Sequence, residues 1–282
     1  MKKIIFPIAL LLVGCPLSIF LYAYANGQPE YPESDIQTRL YSQILQEERE
    51  VIIHLPQHYD STKSYPVMYV LDGSSQDKHL AQKNNILAAA GCAPETIIVG
   101  LPNVSSKGRQ RDYTPPFMRT DIDEADSPMG EGDTFLTFME KELFPMMEKN
   151  YATSGIRALA GNSRGGLLVL YSLLYKPHLF QGRLAFSPAL WRDEHAICKQ
   201  AAQLLPAAKG EESSFLFMSL GDEENTKMKA GFIDMMEVLE RNASTHLVWQ
   251  AEFTPKANHQ SNADLSAAKA IRAWADFLTS EH

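Results

Sequence analysis

Apolar runs without alternation recur along the chain. Tyr65 to Leu71, Glu95 to Leu101, Gly182 to Ser187 and Ser214 to Leu220 are near-continuous stretches of this kind. Such runs predict strands covered on both faces of a sheet. Arg49 to Leu55, the short Arg157 to Ala160 and residues 246–253 complete the predicted strands. Between them the apolar spacing turns helical. Asp133 to Lys149 carries Phe135, Phe138, Met139 and Leu143 at helical intervals, and Leu167 to Tyr175 is followed by Pro177 beyond its end. Residues 193–205, 227–240 and 262–278 also read as helices. Strands alternating with helices predict an α/β fold whose mostly parallel sheet carries helices on both faces. Residues 104–130 break the pattern, being rich in Arg, Asp, Pro, Ser and Gly without periodicity. A stretch of that length inside a domain reads as a functional loop or lid.

The first 25 residues stand apart. Lys2 and Lys3 precede an apolar run from Ile4 to Tyr24, and Ala23-Tyr24-Ala25 offers a small-x-small site before Asn26. This reads as a secretory signal. Leu12-Val13-Gly14-Cys15 also fits a lipobox that would leave a lipid on Cys15, and the run of about 20 residues is long enough for a retained membrane anchor. Each alternative puts the folded domain outside the cytoplasm, periplasmic or secreted. The expected organisation is residues 1–25 as signal or anchor, 26–38 as linker and 39–282 as one enzyme-sized domain. Any membrane contact would run through the N-terminal segment.

Composition narrows the function classes. Of 282 residues, 45% are hydrophobic and 21% charged, as in ordinary globular domains. The formal charge is −8, and losing Lys2 and Lys3 with the leader takes it to −10. An acidic chain gains nothing from counterion release, so nucleic acid is not an expected partner. Beyond Cys15 only Cys92 and Cys198 remain, which permits one bridge or two buried thiols. No CxxC, H-E-x-x-H or comparable ligand spacing occurs, so neither a metal nor another cofactor is implied.

Three features fall at the carboxyl ends of predicted strands, where ligands bind in such sheets. Gly161-Asn162-Ser163-Arg164-Gly165-Gly166 follows a strand and opens an apolar helix. This is the G-x-S-x-G nucleophile elbow in its required setting. The tight turn exposes the Ser163 hydroxyl and aims the Arg164 N–H at a developing oxyanion. The second feature, His259, lies in the loop between the last strand and the last helix, the position of the general base in this chain order. The other seven histidines lie at element ends or the terminus. Third, Gly221-Asp222-Glu223-Glu224 follows a strand between the serine and the histidine, and any of its three carboxylates could orient the imidazole. A second oxyanion donor is expected from Asp72-Gly73-Ser74, through the N–H of Ser74 or Gly73. The fold class is therefore an α/β-hydrolase.

At these residues the chain resembles the putative esterase family of α/β-hydrolases, which includes siderophore esterases, S-formylglutathione hydrolase, feruloyl esterases and mycolyltransferases. The resemblance runs roughly from residue 40 to 278. It is carried by Tyr69 to Gly73, Val99 to Asn103, Arg111 to Pro115, Gly161 to Gly166, Lys176 to Phe180 and Ser187 to Trp191. The family pattern puts an acid three residues after a glycine, which implies Glu224 rather than Asp222. The family usually has His before the nucleophile where this chain has Asn162.

The resemblance points to a small-molecule ester or lactone as substrate and tilts it toward the siderophore type. Arg109, Arg111, Arg119, Arg164 and Arg192 are candidates to receive an anionic acid group, or to tie the long loop to the domain, the role favoured for Arg111. Trp191 is expected in the pocket wall. Acyl transfer to an alcohol by the same serine, or binding without catalysis, are the competing readings.

Overall fold

The computed structural model describes residues 35–207 and 213–280. The expected signal, lipobox and anchor therefore lie outside the described residues, as does most of the expected linker. In chain order the elements are β1 (Asp35–Ser42), β2 (Glu47–His54), β3 (Tyr65–Leu71), α1 (Asp77–Ala89), β4 (Ile97–Leu101), α2 (Ser106–Asp112) and α3 (Gly132–Phe138). A π-helical segment, Met139–Leu143, joins α3 to α4 (Phe144–Asn150). Then follow β5 (Thr153–Asn162), α5 (Arg164–Tyr175), β6 (Gly182–Phe186), α6 (Arg192–Leu204), β7 (Ser214–Gly221), α7 (Thr226–Asn242), β8 (Leu247–Thr254) and α8 (Asn262–Ser280).

The eight strands form one sheet in the order β1-β2-β4-β3-β5-β6-β7-β8. β1 and β2 pair antiparallel, β2 joins β4 antiparallel, and every other pairing is parallel. Eight strands, mostly parallel, with helices packed on them are the α/β-hydrolase fold. Every residue of β3, β4 and β6 is buried, which is why their sequences are apolar without alternation, save for Arg183 of β6, whose guanidinium bonds the Ser172 hydroxyl and Phe180 O. The pleat splits β3 between two layers. Val67, Tyr69 and Leu71 share a core cluster with α5 and with Phe232 of α7. Met68 and Val70, also fully buried, face the opposite layer, and α8 packs on β6, β7 and β8 with α1 beside it.

The structure adds elements that the apolar pattern did not mark. β1 begins at Asp35, inside the stretch expected to be linker, and it alternates exposed and half-buried residues at the sheet edge. α1 has a polar sequence, and burial of Leu80, Ala81, Asn84 and Leu87 holds it in place. α2 lies inside the expected loop, capped by the Ser105 hydroxyl, which accepts from Gly108 N at 2.9 Å. The helix expected over Asp133 to Lys149 is interrupted because Pro145 lies in the first turn of α4 and has no N–H for the preceding turn. Phe144 N donates back to Met139 O, five residues earlier. Cys198 is a free buried thiol whose Sγ lies 3.7 Å from Gly231 O, so the Cys92–Cys198 bridge is not formed.

Candidate active site

The elbow is built by backbone contact. At Gly161 a Cβ would stand 2.6 Å from the carbonyl carbon of Gly165, so strand and helix can meet only with glycine there. Ser163 takes φ 58° and ψ −114°, a conformation costly for a residue with a side chain. Neighbours hold it there. Its N–H donates to Phe186 O at 2.9 Å, and its carbonyl accepts from Leu167 N and Ala189 N, both at 3.0 Å.

The loops after β7 and β8 are locked together in the same way. A Cβ on Gly221 would lie 2.2 Å from Ala257 O. That carbonyl instead accepts the Glu223 N–H at 2.9 Å. This contact brings Glu224 against His259, whose Nδ1 is 2.8 Å from Glu224 Oε2. On the other side, His259 Nε2 is 3.0 Å from Ser163 Oγ. The Glu224 side chain is 1% exposed, whereas Asp222 and Glu223 are exposed. Of the three candidate carboxylates, only Glu224 reaches the imidazole.

Glu224 is supported from behind. Its Oε1 accepts from the Ser187 hydroxyl and from Gly221 N. Asn262 Nδ2 donates to Ser187 Oγ at 2.9 Å and to Ser219 Oγ at 3.0 Å, and Ser219 Oγ lies 2.8 Å from Ser266 Oγ. Burial alone would raise the Glu224 pKa. The hydrogen bonds from His259, Ser187 and Gly221, with the charge of His259, outweigh it and hold the pKa below the usual carboxylate range. The carboxylate is therefore ionised wherever the imidazole needs it. Sequence reasoning missed Ser187 and Asn262. Ser187 stood in a conspicuous Ser-Pro segment, but nothing there marked its hydroxyl as a partner of a carboxylate 37 residues later.

The two backbone N–H groups expected to receive an oxyanion, those of Ser74 and Arg164, have no acceptor among the described residues. Arg164 opens α5, where first-turn N–H groups lack helical partners. The expectation for Gly73 is corrected. Its N–H donates to Leu101 O at 3.0 Å and is not available. Ser74 adopts φ 74°.

A cavity of about 460 Å³ opens beside Ser163 and His259. Trp191, Arg109, Arg164 and Arg192 line it, together with Asn225, Lys227 and Met228, which the sequence had not singled out. The five candidate arginines separate cleanly. Arg111 does not line the cavity, so the substrate-binding alternative for it is corrected and the tying role favoured for it is the one its contacts fit. Its guanidinium bonds Glu47 at 2.6 Å and Asp112 at 2.7 Å, tying α2 to β2. Arg119 donates to Ser127 O within its own loop. Arg109 is held bidentately by Asp72, at 2.6 and 2.8 Å. Arg164 donates to Thr114 Oγ1 at 2.7 Å and Thr120 O at 2.8 Å. Arg192 donates to Arg119 O at 2.9 Å and Thr120 O at 3.3 Å. The long loop 104–130 is thus pinned over the elbow by two pocket arginines.

An imidazole with a carboxylate on one nitrogen and a hydroxyl on the other can take the hydroxyl proton and return it to a leaving group. Comparison with known proteins agrees with that chemistry. The family described as "Putative esterase" matches residues 42–282. The chain belongs to this esterase family. It is 28% identical over 172 residues to the ferri-bacillibactin esterase BesA of Bacillus subtilis (strain 168), covering 56% of this chain and 60% of BesA. It is 29% identical over 181 residues to the siderophore enterobactin esterase of Emericella nidulans, covering 58% and 60%. The matches thus span about 60% of the length of these curated relatives. Among solved structures, an IroE-like serine hydrolase from Shewanella oneidensis superposes with TM-score 0.78 at 29% identity, covering 86% of this chain and 80% of that one. The BES protein from Bacillus cereus gives TM-score 0.77 at 25% identity, covering 85% and 94%.

Proposed function

We propose that this chain is an exported serine carboxylic-ester hydrolase acting on a small-molecule ester or lactone of the siderophore type. Ser163 Oγ attacks the ester carbonyl while His259 Nε2 accepts its proton. Glu224 holds the imidazole and stabilises the imidazolium. The N–H groups of Arg164 and Ser74 receive the oxyanion, a contribution of about 2.7–4 kcal/mol for each donor in enzymes of this kind. The imidazolium then protonates the departing alcohol. Water, deprotonated by the same imidazole, cleaves the acyl-serine and releases the acid.

The observation that carries this reading is the unbroken chain from Glu224 through His259 to Ser163, at 2.8 and 3.0 Å. Esterase-family membership supports the reaction, and the named activities of the relatives support the substrate class. Export rests on the residues before Asn26. The test is hydrolysis of short-chain p-nitrophenyl esters and fluorophosphonate labelling, alongside Ser163→Ala and His259→Ala. Turnover and labelling by the wild type, with both lost in Ser163→Ala, are expected. A wild type inert to both reagents would sink the esterase reading in favour of a binding protein.

A further inference from the structure

We propose, resting on the esterase reading, that Arg109 is a positioning residue of the reaction: by holding Asp72 and the Asn162 carbonyl with one guanidinium, it fixes the spacing of the two N–H groups that receive the oxyanion. Those groups come from different strand ends. Ser74 follows β3, and Arg164 follows β5. Each end is held on its outer side by backbone. Gly73 N donates to Leu101 O of β4 at 3.0 Å, and Ser163 N donates to Phe186 O of β6 at 2.9 Å. On the inner side, the paired register of β3 and β5 ends at Val70 and Ala160. Two residues further along each strand, at Asp72 and Asn162, Arg109 bridges the seam.

Although Arg109 borders the cavity, its Nε and Nη2 are spent on the two Asp72 oxygens, at 2.6 and 2.8 Å, and Nη2 also reaches Asn162 O at 3.4 Å. Asp72 has little freedom. Its Oδ1 accepts from Asn103 Nδ2 at 2.6 Å, and its N–H donates to the Tyr113 hydroxyl at 3.1 Å. A Cβ on Gly165 would lie 3.6 Å from Asp72 Oδ2, so the carboxylate also sits against the first turn of α5. The clamp has a firm base. Arg109 stands on α2, whose last residue, Asp112, bonds the buried Arg49 at 2.6 Å, and Tyr113 beyond it is fully buried. The loop needs such a hold. Asp72 at φ 58° and Ser74 at φ 74° both adopt left-handed backbone that costs a residue with a side chain.

Magnitudes separate this role from a plain structural tie. The Arg109 and Asp72 side chains are 29% and 15% exposed, so their ion pair adds little to stability. Oxyanion donors act only at close range to the developing charge. A displacement of about 1 Å can cost about a hundredfold in rate. Loss of Arg109 therefore falls on kcat and hardly on the fold.

The experiment follows p-nitrophenyl butanoate hydrolysis by the full chain, with kcat taken per site titrated to completion by a fluorophosphonate. Arg109→Met and Asp72→Asn should each lower kcat about a hundredfold while KM stays within about threefold. The double variant should be no slower than the slower single one, because both changes open one clamp. Arg109→Lys should recover part of the loss. The inhibition constant of a trifluoromethyl ketone, whose adduct with Ser163 carries the oxyanion, should rise in proportion to the loss in kcat/KM. The thermal midpoint should move by a few degrees at most. A kcat for Arg109→Met within about threefold of wild type would overturn the clamp and leave the esterase reading intact. So would a loss carried by KM, which would make Arg109 a substrate contact. If the wild type hydrolyses no ester, the esterase reading fails and hydrogen exchange decides. Faster exchange in Arg109→Met across residues 72–76 and 161–166, with residues 214–221 unchanged, upholds the clamp, and unchanged exchange in all three segments overturns it.

Discussion

Two clusters of basic side chains on this molecule answer burial in opposite ways. Along β2, Arg49 is buried with its Nη1 2.6 Å from the buried Asp112 and 2.9 Å from Glu47, and Arg111 closes the network by bonding both acids. His54, at the end of the same strand, lies between Asp35 at 2.7 Å and Asp77 at 2.9 Å. Every cation there has a carboxylate. At the pocket, Arg164 and Arg192 have none within ion-pair distance among the described residues. A buried charge is tolerable when paired and hydrogen-bonded. The first cluster therefore serves the fold, attaching β1, α1 and α2 to the sheet. The second is held by loop carbonyls and a hydroxyl in the wall of the cavity beside Ser163.

The largest effects expected are on activity, with the fold untouched. Ser163→Ala should lower kcat by up to about 10⁶, and Glu224→Gln by about 10⁴, because the imidazole loses its orienting charge. Both should keep the wild-type thermal midpoint within a few degrees. An active Glu224→Gln would reduce the site to a serine–histidine dyad.

Next in size is the structural cluster. Asp112→Ala removes the buried acid of Arg49 and leaves it only the half-buried Glu47, which should cost about 3 kcal/mol, seen in chemical denaturation as a fall in midpoint at constant m-value. Ester turnover per folded molecule should stay within about threefold. A loss below about 1 kcal/mol would remove the contrast with the pocket.

Arg164→Met should change stability by less than about 1 kcal/mol. It loses two hydrogen bonds to the loop but relieves repulsion from Arg192. If it costs as much as Asp112→Ala, Arg164 is a structural tie for residues 104–130.

The smallest effect is titration of His54. Burial works against its imidazolium, but Asp77 and Asp35 outweigh burial, and its pKa is raised above 6.5. The raised value means its contribution is fully present below about 6.5, the unfolded value, and is lost as pH rises through the folded value. The difference in thermal midpoint between wild type and His54→Gln should therefore shrink from pH 6 to pH 9. A constant difference would mean the contact is neutral hydrogen bonding.

Much of this was legible along the chain because it depends on local order. Continuous apolar runs are what a doubly covered strand requires, and β3, β4, β6 and β7 were found within about two residues on that ground. The elbow is a six-residue motif whose glycines are needed by a turn that closes on itself. His259 was found by its place between the last strand and the last helix.

The polar elements were not legible. β1 alternates at an exposed edge, and α1 buries only five residues, two of them polar, in an otherwise polar helix, so neither carries a strong pattern. Selection of Glu224 over its two acidic neighbours, loss of the Gly73 N–H to Leu101 and the sorting of five arginines all depend on contacts between segments far apart in sequence. Ser187 and Asn262 supporting Glu224 belong to the same class. A sequence specifies which side chains bring charge, hydroxyl or imidazole and which local turns present them. Only the packed chain decides which acid meets which base, because hydrogen bonding and desolvation act over a few ångströms of space and take no account of distance along the backbone.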